Sequence, residues 1–264
     1  MGVFDFIIHN AGTTKAENKA AYFDVNAGHT RRLAEAINAA NVKPEMFLLV
    51  SSLASYGPTK GEQIITIQSP QKPVTSYGES KVEAENVLVQ TADFPFVIVQ
   101  PTAVYGARDR DIFVFIELVN RGFELYIGTR PQKLSFIHAQ DLCDLMFLAL
   151  QRGRSGSKYI GSDGKNYTSP DLGASVKSAL GKKTFRLKIP LSIVGVVAGI
   201  AETIGKWRGK VPPLNREKMG ELGAESWLCD ASESFEQLGF KPKHDLFSGM
   251  KTTIDWYRQE KWLK

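Results

Sequence analysis

The chain has 264 residues, enough for one large domain or two small ones, and its 43% hydrophobic and 23% charged content is ordinary for a globular protein. The net charge of +5 comes from scattered lysines and arginines, so nothing in the composition indicates nucleic-acid binding. The cysteines Cys143 and Cys229 form no disulfide framework and the four histidines lack metal-ligand spacing, which predicts a cytoplasmic protein without a metal site.

The first predicted element is a buried strand, Val3–His9, which is followed by the small residues Asn10, Ala11 and Gly12. Small residues after a strand let the backbone approach a flat ligand, although a plain turn would explain them equally. A helix is predicted over Phe23–Val42.

The most informative stretch joins a strand to a helix. The apolar run Phe47–Ser52 predicts a short strand that ends in two hydroxyls, at the sheet edge where α/β proteins bind ligands. Tyr77 and Lys81 are four residues apart in a helix predicted over Ser76–Gln90, and therefore share one face. A neighbouring ammonium favours a phenolate, so Lys81 is expected to lower the pKa of Tyr77. Ser52, Tyr77 and Lys81 thus form a candidate proton-transfer set.

The rest of the chain alternates between strands and helices. The predicted strands are Phe96–Pro101, Lys158–Ile160 and Phe185–Ile189, and the predicted helices are Ile112–Asn120, Asp141–Leu150, Asp171–Leu180 and Leu246–Trp262. The most apolar stretch, Pro190–Gly205, is shorter than the ~20 residues of a membrane span and contains Glu202. It is interpreted as a helix of the substrate region, with contact to a membrane surface as the minor alternative.

The order of these motifs resembles the extended short-chain dehydrogenase/reductase family, the NAD-dependent epimerase/dehydratases. The segment from Gln100 to Asp109 resembles the family's Arg-Pro-x-x-Val-Tyr-Gly-Pro-Arg motif, Phe136–Leu142 resembles its Phe-Ile-His-Val-x-Asp-Leu junction, and Val25–Thr30 resembles its Val-Asn-x-x-Gly-Thr. The resemblance implies that Ser52, Tyr77 and Lys81 are catalytic and that His138 is structural. It further implies cofactor contacts from Asn10, Ala11, Gly12, Asn26, Ser51, Tyr77, Lys81, Pro101 and Val104, and substrate contacts from Ser52, Leu53, Thr102, Tyr105 and Arg108. For Asn26, a helix cap is an equally good interpretation.

The fold implied by the resemblance is α/β, with a Rossmann-type doubly wound parallel sheet and a smaller C-terminal α/β substrate-binding region. Residues 1–160 would belong to the NAD(P)-binding part, with 110–130 inserted toward the substrate site, and residues 161–264 mainly to the substrate-binding region. The family's glycine-rich pyrophosphate turn is not found, so we expect an N-terminally truncated chain with an incomplete site for NAD or NADP. In the family's strand order, Val3–His9 would then be an edge strand, which predicts either a homo-oligomer formed through this strand or an additional chain segment or partner that covers the edge.

The resemblance implies an epimerase or reductase that acts on a hydroxyl or carbonyl group of a nucleotide-sugar or similar small molecule. Leu53 and Ala54 replace the Asp-Glu pair of sugar-nucleotide dehydratases, which disfavours dehydration. Leu134 replaces an arginine that grips the pyrophosphate in many epimerases, so a reductase for an apolar substrate is a rival. The alternative from another class is a catalytically inactive fragment, or a binding or scaffold relative that no longer holds the dinucleotide.

Overall fold

A computed structural model describes residues 4–40, 42–128, 130–195 and 220–263. Four parallel strands form the central sheet, and their spatial order is β1 (Phe6–His9), β2 (Met46–Val50), β3 (Phe96–Pro101) and β8 (Lys158–Gly161). Parallel pairing of strands that alternate with helices confirms the predicted fold class, an α/β protein with a Rossmann-type parallel sheet. Among the described residues β1 pairs only with β2, and it is therefore an edge strand.

Helices cover both faces of this sheet, which explains why its inner strands are continuous apolar runs. Alternate residues of β2 point to opposite layers because side chains of a strand alternate between faces. Phe47 and Leu49 pack toward α2 (His29–Asn38) and α3 (Ser76–Thr91). Leu48 and Val50 pack toward α5 (Ala139–Arg152) and α7 (Ser232–Leu238).

A second apolar core lies beside the sheet. It joins α4 (Asp111–Asn120), α6 (Ser169–Leu180) and α8 (Leu246–Gln259) through the buried side chains Ile116, Val176 and Ile254. Three small two-stranded sheets accompany it: β4 (Ala103–Tyr105) with β7 (Phe136–His138), β5 (Phe123–Ile127) with β10 (Phe185–Ile189), and β6 (Lys133–Leu134) with β9 (Tyr167–Thr168). Residues that follow β3 thus pack with the C-terminal third of the chain.

The predicted elements are present, with one clear exception. The helix predicted over Phe23–Val42 is wrong at both ends: α1 (Lys19–Phe23) begins after the cap Asn18, a π-helical turn (Asp24–Gly28) follows, and α2 ends at Asn38. Within the predicted helix Pro190–Gly205, residues 191–195 are helical and 196–205 lie outside the described ranges. Of the predicted first strand, Val3 lies outside the described ranges, and Phe4 and Asp5 precede the strand, which begins at Phe6. None of the helices in the described ranges is long and apolar enough to cross a membrane.

Candidate active site

Ser52 and Tyr77 meet at the carboxyl end of β2. Ser52 lies two residues beyond the strand and caps a 3₁₀ turn (Leu53–Ser55), because its Oγ accepts a hydrogen bond of 3.1 Å from the Ala54 amide. Thr75 caps α3 in the same way, accepting from the Gly78 amide at 3.1 Å. Tyr77 therefore stands in the first turn of a helix whose start is fixed beside the serine turn.

Gly78 allows this close approach. A Cβ atom at this position would lie 2.5 Å from the carbonyl oxygen of Ala54, closer than any side chain tolerates. Only glycine lets the first turn of α3 pack directly against the backbone that follows Ser52. The close backbone packing at Gly78 thus helps to hold Ser52 and Tyr77 next to each other.

A cavity of about 380 Å³ lies in front of these residues. Of the predicted site residues, six line it: Ser52, Leu53, Tyr77, Pro101, Thr102 and Val104. They come from the segment just after β2, from α3, and from the stretch between the end of β3 and β4, which are far apart in sequence. The structure thus brings six of the fourteen predicted site residues onto one cavity wall.

The electrostatics of Tyr77 differ from the prediction. Burial raises the pKa of Tyr77 to about 12, although a hydrogen bond with Ser52 acts in the opposite direction. The Nζ of Lys81 is 5.9 Å from the centre of the tyrosine ring and donates a 2.9 Å hydrogen bond to the carbonyl of Val50. The prediction that the pKa of Tyr77 lies below its ordinary value is therefore wrong for this state of the protein, because burial of the phenol is the largest influence on that pKa.

Lys81 itself is buried, with 7% of its surface exposed. Burial lowers the pKa of this ammonium to about 8, and the nearby carboxylate of Glu85 raises it again in part. A lysine that can lose its proton near neutral pH is unusual outside functional sites.

Replacing Lys81 by methionine is expected to change how stability depends on pH. The folded pKa of about 8 lies below the ordinary value of 10.5, so the unfolded chain binds more protons between these values and wild-type stability rises with pH there. The variant lacks this titration, so its stability should not rise in the same way. The free energy of unfolding of the wild type should gain about 2 kcal/mol relative to that of the variant as the pH rises from about 7 to about 10. Urea unfolding at both pH values measures the difference; parallel pH profiles, like those expected for the exposed Lys60→Met control, would contradict it.

The loop after β1 is fixed against the same helix by Asn26. Its Oδ1 accepts from the Thr13 amide at 2.8 Å, and its Nδ2 donates to the Thr13 carbonyl at 3.1 Å and to Ser80 Oγ at 2.8 Å. Asn26 is buried within the π-helical turn, so the helix-cap interpretation is wrong. A Cβ atom on Gly12 would lie 2.9 Å from Asn26 Oδ1 and 3.4 Å from Lys81 Nζ, so glycine backbone borders the lysine directly.

Behind the cavity, Glu85 forms a buried polar network that the sequence analysis missed. The glutamate is 1% exposed and binds Lys158 Nζ at 2.6 Å, Gln71 Nε2 at 2.9 Å and Gln100 Nε2 at 2.9 Å. Ser51 also donates its hydroxyl to this carboxylate, so its side chain points into the network and is not part of the cavity wall. Only the spacing in the sequence could have pointed to Glu85, because it follows Lys81 by four residues and therefore lies on the same face of the helix.

Several predicted residues lie away from the cavity. Tyr105 is buried and donates to the Asp245 carbonyl at 2.9 Å, and Arg108 is exposed in a left-handed backbone conformation. Asn10 and Ala11 are exposed beyond β1. His138 caps α5 by accepting from the Gln140 amide at 3.3 Å, a structural arrangement.

Other residues of the cavity wall were not predicted, because they belong to no recognisable sequence motif. They include the carboxylates of Asp109, Asp111 and Glu221, together with Gln132 and Trp227. Asp111 pairs with Lys15 at 2.7 Å, and Glu221 accepts a hydrogen bond of 3.0 Å from Thr75. These contacts join segments more than ninety residues apart, which spacing along the chain cannot indicate.

Comparison with known proteins identifies the family. The model of the NAD dependent epimerase/dehydratase family matches residues 3–161, which contain Ser52, Tyr77 and Lys81. The chain belongs to this family. The match ends at residue 161. Glu221 and Trp227, which lie beyond it, also line the cavity.

Relatives of this family member have several different named activities. It is 26% identical to the UDP-glucose 4-epimerase of Vibrio cholerae over 260 residues, covering 95% of this chain and 74% of that protein. It is also 26% identical to the ceramide reductase of Caulobacter vibrioides over 262 residues, covering 98% and 76%. The solved UDP-glucose 4-epimerase of Thermotoga maritima superimposes with a TM-score of 0.77 at 18% identity, covering 97% and 78%. That structural likeness shows the fold alone.

Proposed function

We propose that the protein is an NAD(P)-dependent epimerase or reductase that acts on a hydroxyl or carbonyl group of a small molecule. The observation that carries this proposal is the meeting of Ser52 and Tyr77 on the wall of one cavity, with the buried Lys81 one helical turn behind the tyrosine. A phenol and a hydroxyl facing the same space can hold and protonate one substrate oxygen.

Each residue has a distinct proposed role. Ser52 would donate a hydrogen bond to the reacting oxygen, and Tyr77 would give or take its proton. A raised pKa, about 12 in the described state, keeps Tyr77 protonated and suits it to donate a proton during carbonyl reduction. In the reverse reaction, the oxidation of a hydroxyl group, Tyr77 has to accept a proton and therefore needs a lower pKa. A cation would have to approach the phenol more closely than the Nζ of Lys81 does in this structure.

The residues present fit the nicotinamide half of a dinucleotide. Gly12 offers backbone without a side chain beside Lys81 and Asn26, and Pro101 and Val104 line the cavity next to Tyr77. These residues would hold the nicotinamide and its ribose, with Lys81 as donor to the ribose hydroxyls. When bound, the nicotinamide supplies the acceptor or donor of hydride.

Two classes of substrate are candidates. The relative named as a UDP-glucose 4-epimerase supports a nucleotide-sugar. Leu134 lies on the cavity wall where many epimerases carry an arginine, and Leu53, Ile112 and Trp227 are further apolar wall residues. These side chains support the second candidate, a reductase for an apolar ketone, and the ceramide reductase relative points the same way.

Two reactions distinguish the candidates. The protein is incubated with NAD⁺ and UDP-glucose while the 4-epimer is measured, and separately with NADPH and a long-chain ketone while NADPH consumption is measured. Loss of activity in Ser52→Ala ties either result to the proposed site. Absence of both reactions, with no binding of NAD(H) or NADP(H), would instead favour the inactive binding or scaffold protein.

We further propose that the protein is a homo-oligomer that pairs through β1. Phe4, Phe6 and Ile8 are exposed by 68%, 42% and 41% at this edge, an apolar template for pairing with another chain. The mass measured by light scattering should therefore rise with concentration, and Phe6→Lys should shift the protein toward the monomer. A constant monomer mass, with slow amide exchange across Phe6–His9, would contradict this proposal.

A further inference from the structure

The small sheet of β5 and β10 has an apolar face on its outer side. The two strands are parallel, and their register pairs Phe185 with Phe123, Leu187 with Leu125 and Ile189 with Ile127. Because residues two apart in a strand point to the same side, these six side chains share one face. We call this surface the apolar strand face.

Much of the apolar strand face is open to solvent. Phe185 is 67% exposed, Phe123 48% and Leu187 38%, and just beyond β10 Leu191 is 39% and Ile193 53% exposed. Single exposed apolar side chains are common on proteins, but a contiguous group of this kind marks a binding surface.

Positive charge lies at one end of the apolar strand face. Lys182 and Lys183, which precede β10, are exposed and make no ion pair with the described residues. Lys188 is on the opposite side of the strand, with Arg186, because side chains of a strand alternate between faces. Arg186 and Lys177 bind the buried carboxylate of Glu124, at 3.4 Å and 2.8 Å. Lys182 and Lys183 therefore leave a local excess of positive charge next to Phe185.

We infer that the apolar strand face docks on an anionic lipid bilayer. Apolar side chains flanked by lysines are the composition with which proteins insert shallowly into a negatively charged membrane surface. A second copy of the chain fits this surface less well, because pairing two β10 edges would bring the lysines of both copies together. Docking of this kind needs no membrane-spanning helix.

The position of the apolar strand face gives docking a consequence for the catalytic cavity. A second cavity of about 320 Å³ contains Leu191 and Ile127 and shares Gln132 and Leu222 with the catalytic cavity. A bilayer at the apolar strand face would therefore lie beside a chamber that adjoins the proposed site. Docking itself does not depend on the reaction proposed above, so it can be tested without a substrate.

Vesicle flotation tests the inference directly. The protein should float with phosphatidylcholine vesicles that contain about 30% phosphatidylglycerol, and not with phosphatidylcholine alone. Changing Lys182 and Lys183 together to glutamine should weaken binding at least about 20-fold, since each lysine contributes about fivefold. Phe185→Ser should weaken binding about fivefold or more by removing inserted apolar area.

Matched controls keep the test specific. Changing the exposed Lys60 and Lys241 to glutamine alters net charge equally, and Phe147→Ser removes a phenylalanine that is 62% exposed elsewhere. Both controls should weaken binding less than about threefold. The inference is overturned if the protein does not float, or if the controls lose binding as much as the test variants. It is equally overturned if Phe185→Ser abolishes a concentration-dependent dimer and leaves vesicle binding unchanged.

Discussion

Tyr77→Phe is expected to lower turnover by at least ~100-fold at saturating cofactor, the usual contribution of a general acid or base. The variant removes only the hydroxyl that faces Ser52 across the cavity wall, and it leaves the ring, the helix cap at Thr75 and Lys81 in place. Affinity for the nicotinamide cofactor should therefore change little. The measurement is kcat by nicotinamide absorbance, with cofactor affinity determined in parallel.

A second phenol in the same cavity provides the comparison. Tyr22 lines the cavity, and its ring centre is 6.4 Å from that of Tyr77. Tyr22→Phe also removes one hydroxyl from the cavity, and it should cost less than about tenfold because this phenol is not the proposed proton donor. If Tyr77→Phe kept near-normal turnover, or if both variants lost activity equally, the assignment of Tyr77 would be wrong.

Glu85→Ala is expected to lower the free energy of unfolding by about 3–5 kcal/mol, the usual cost of breaking a buried ion pair by removing one partner. The 1% exposed carboxylate binds Lys158 and also satisfies Ser51, Gln71 and Gln100, so its loss leaves several buried donors without an acceptor. Urea denaturation at neutral pH measures the change.

The chain supplies a matched control for this prediction. Lys133 pairs with Glu62 as Lys158 pairs with Glu85, and the two lysine side chains are almost equally exposed, by 28% and 29%. Glu62, however, is 87% exposed where Glu85 is 1% exposed. Glu62→Ala should stay within about 0.5 kcal/mol of the wild type. Equal losses in the two variants would show that burial is not what makes the Glu85 network stabilising.

Gln100 stands where the family motif has an arginine, and it belongs to the same network. Lys158 on the neighbouring strand provides the positive charge next to Glu85, and Gln100 contributes a neutral donor at 2.9 Å. Gln100→Arg should therefore partly restore stability lost in Lys158→Met, since it brings a cation back to the same carboxylate.

The central fold could be predicted because buried parallel strands have a strong local signal. Phe47–Val50 and Phe96–Val99 are continuous apolar runs, and in the structure both of their faces are covered by helices. The Tyr77 and Lys81 pair was visible for the same reason, since helical spacing fixes which residues share a face.

The rest of the site depends on contacts that local pattern does not encode. The π-helical turn moves Asn26 into contact with Thr13 and Ser80, although a regular helix fits its sequence equally well. The pKa of Tyr77 could not be inferred from the spacing of Lys81, because it is set by how deeply the folded chain buries the phenol.

The most direct test of the central claim is whether a nicotinamide ring binds at Ser52, Tyr77 and Lys81. Saturation-transfer NMR with NADH suits this test because it detects weak complexes. We expect strong transfer to the nicotinamide protons, and loss of that transfer in Lys81→Met but not in the exposed-residue control Lys60→Met. Transfer that reaches only the adenine protons, or that is the same in Lys81→Met and wild type, would contradict the account.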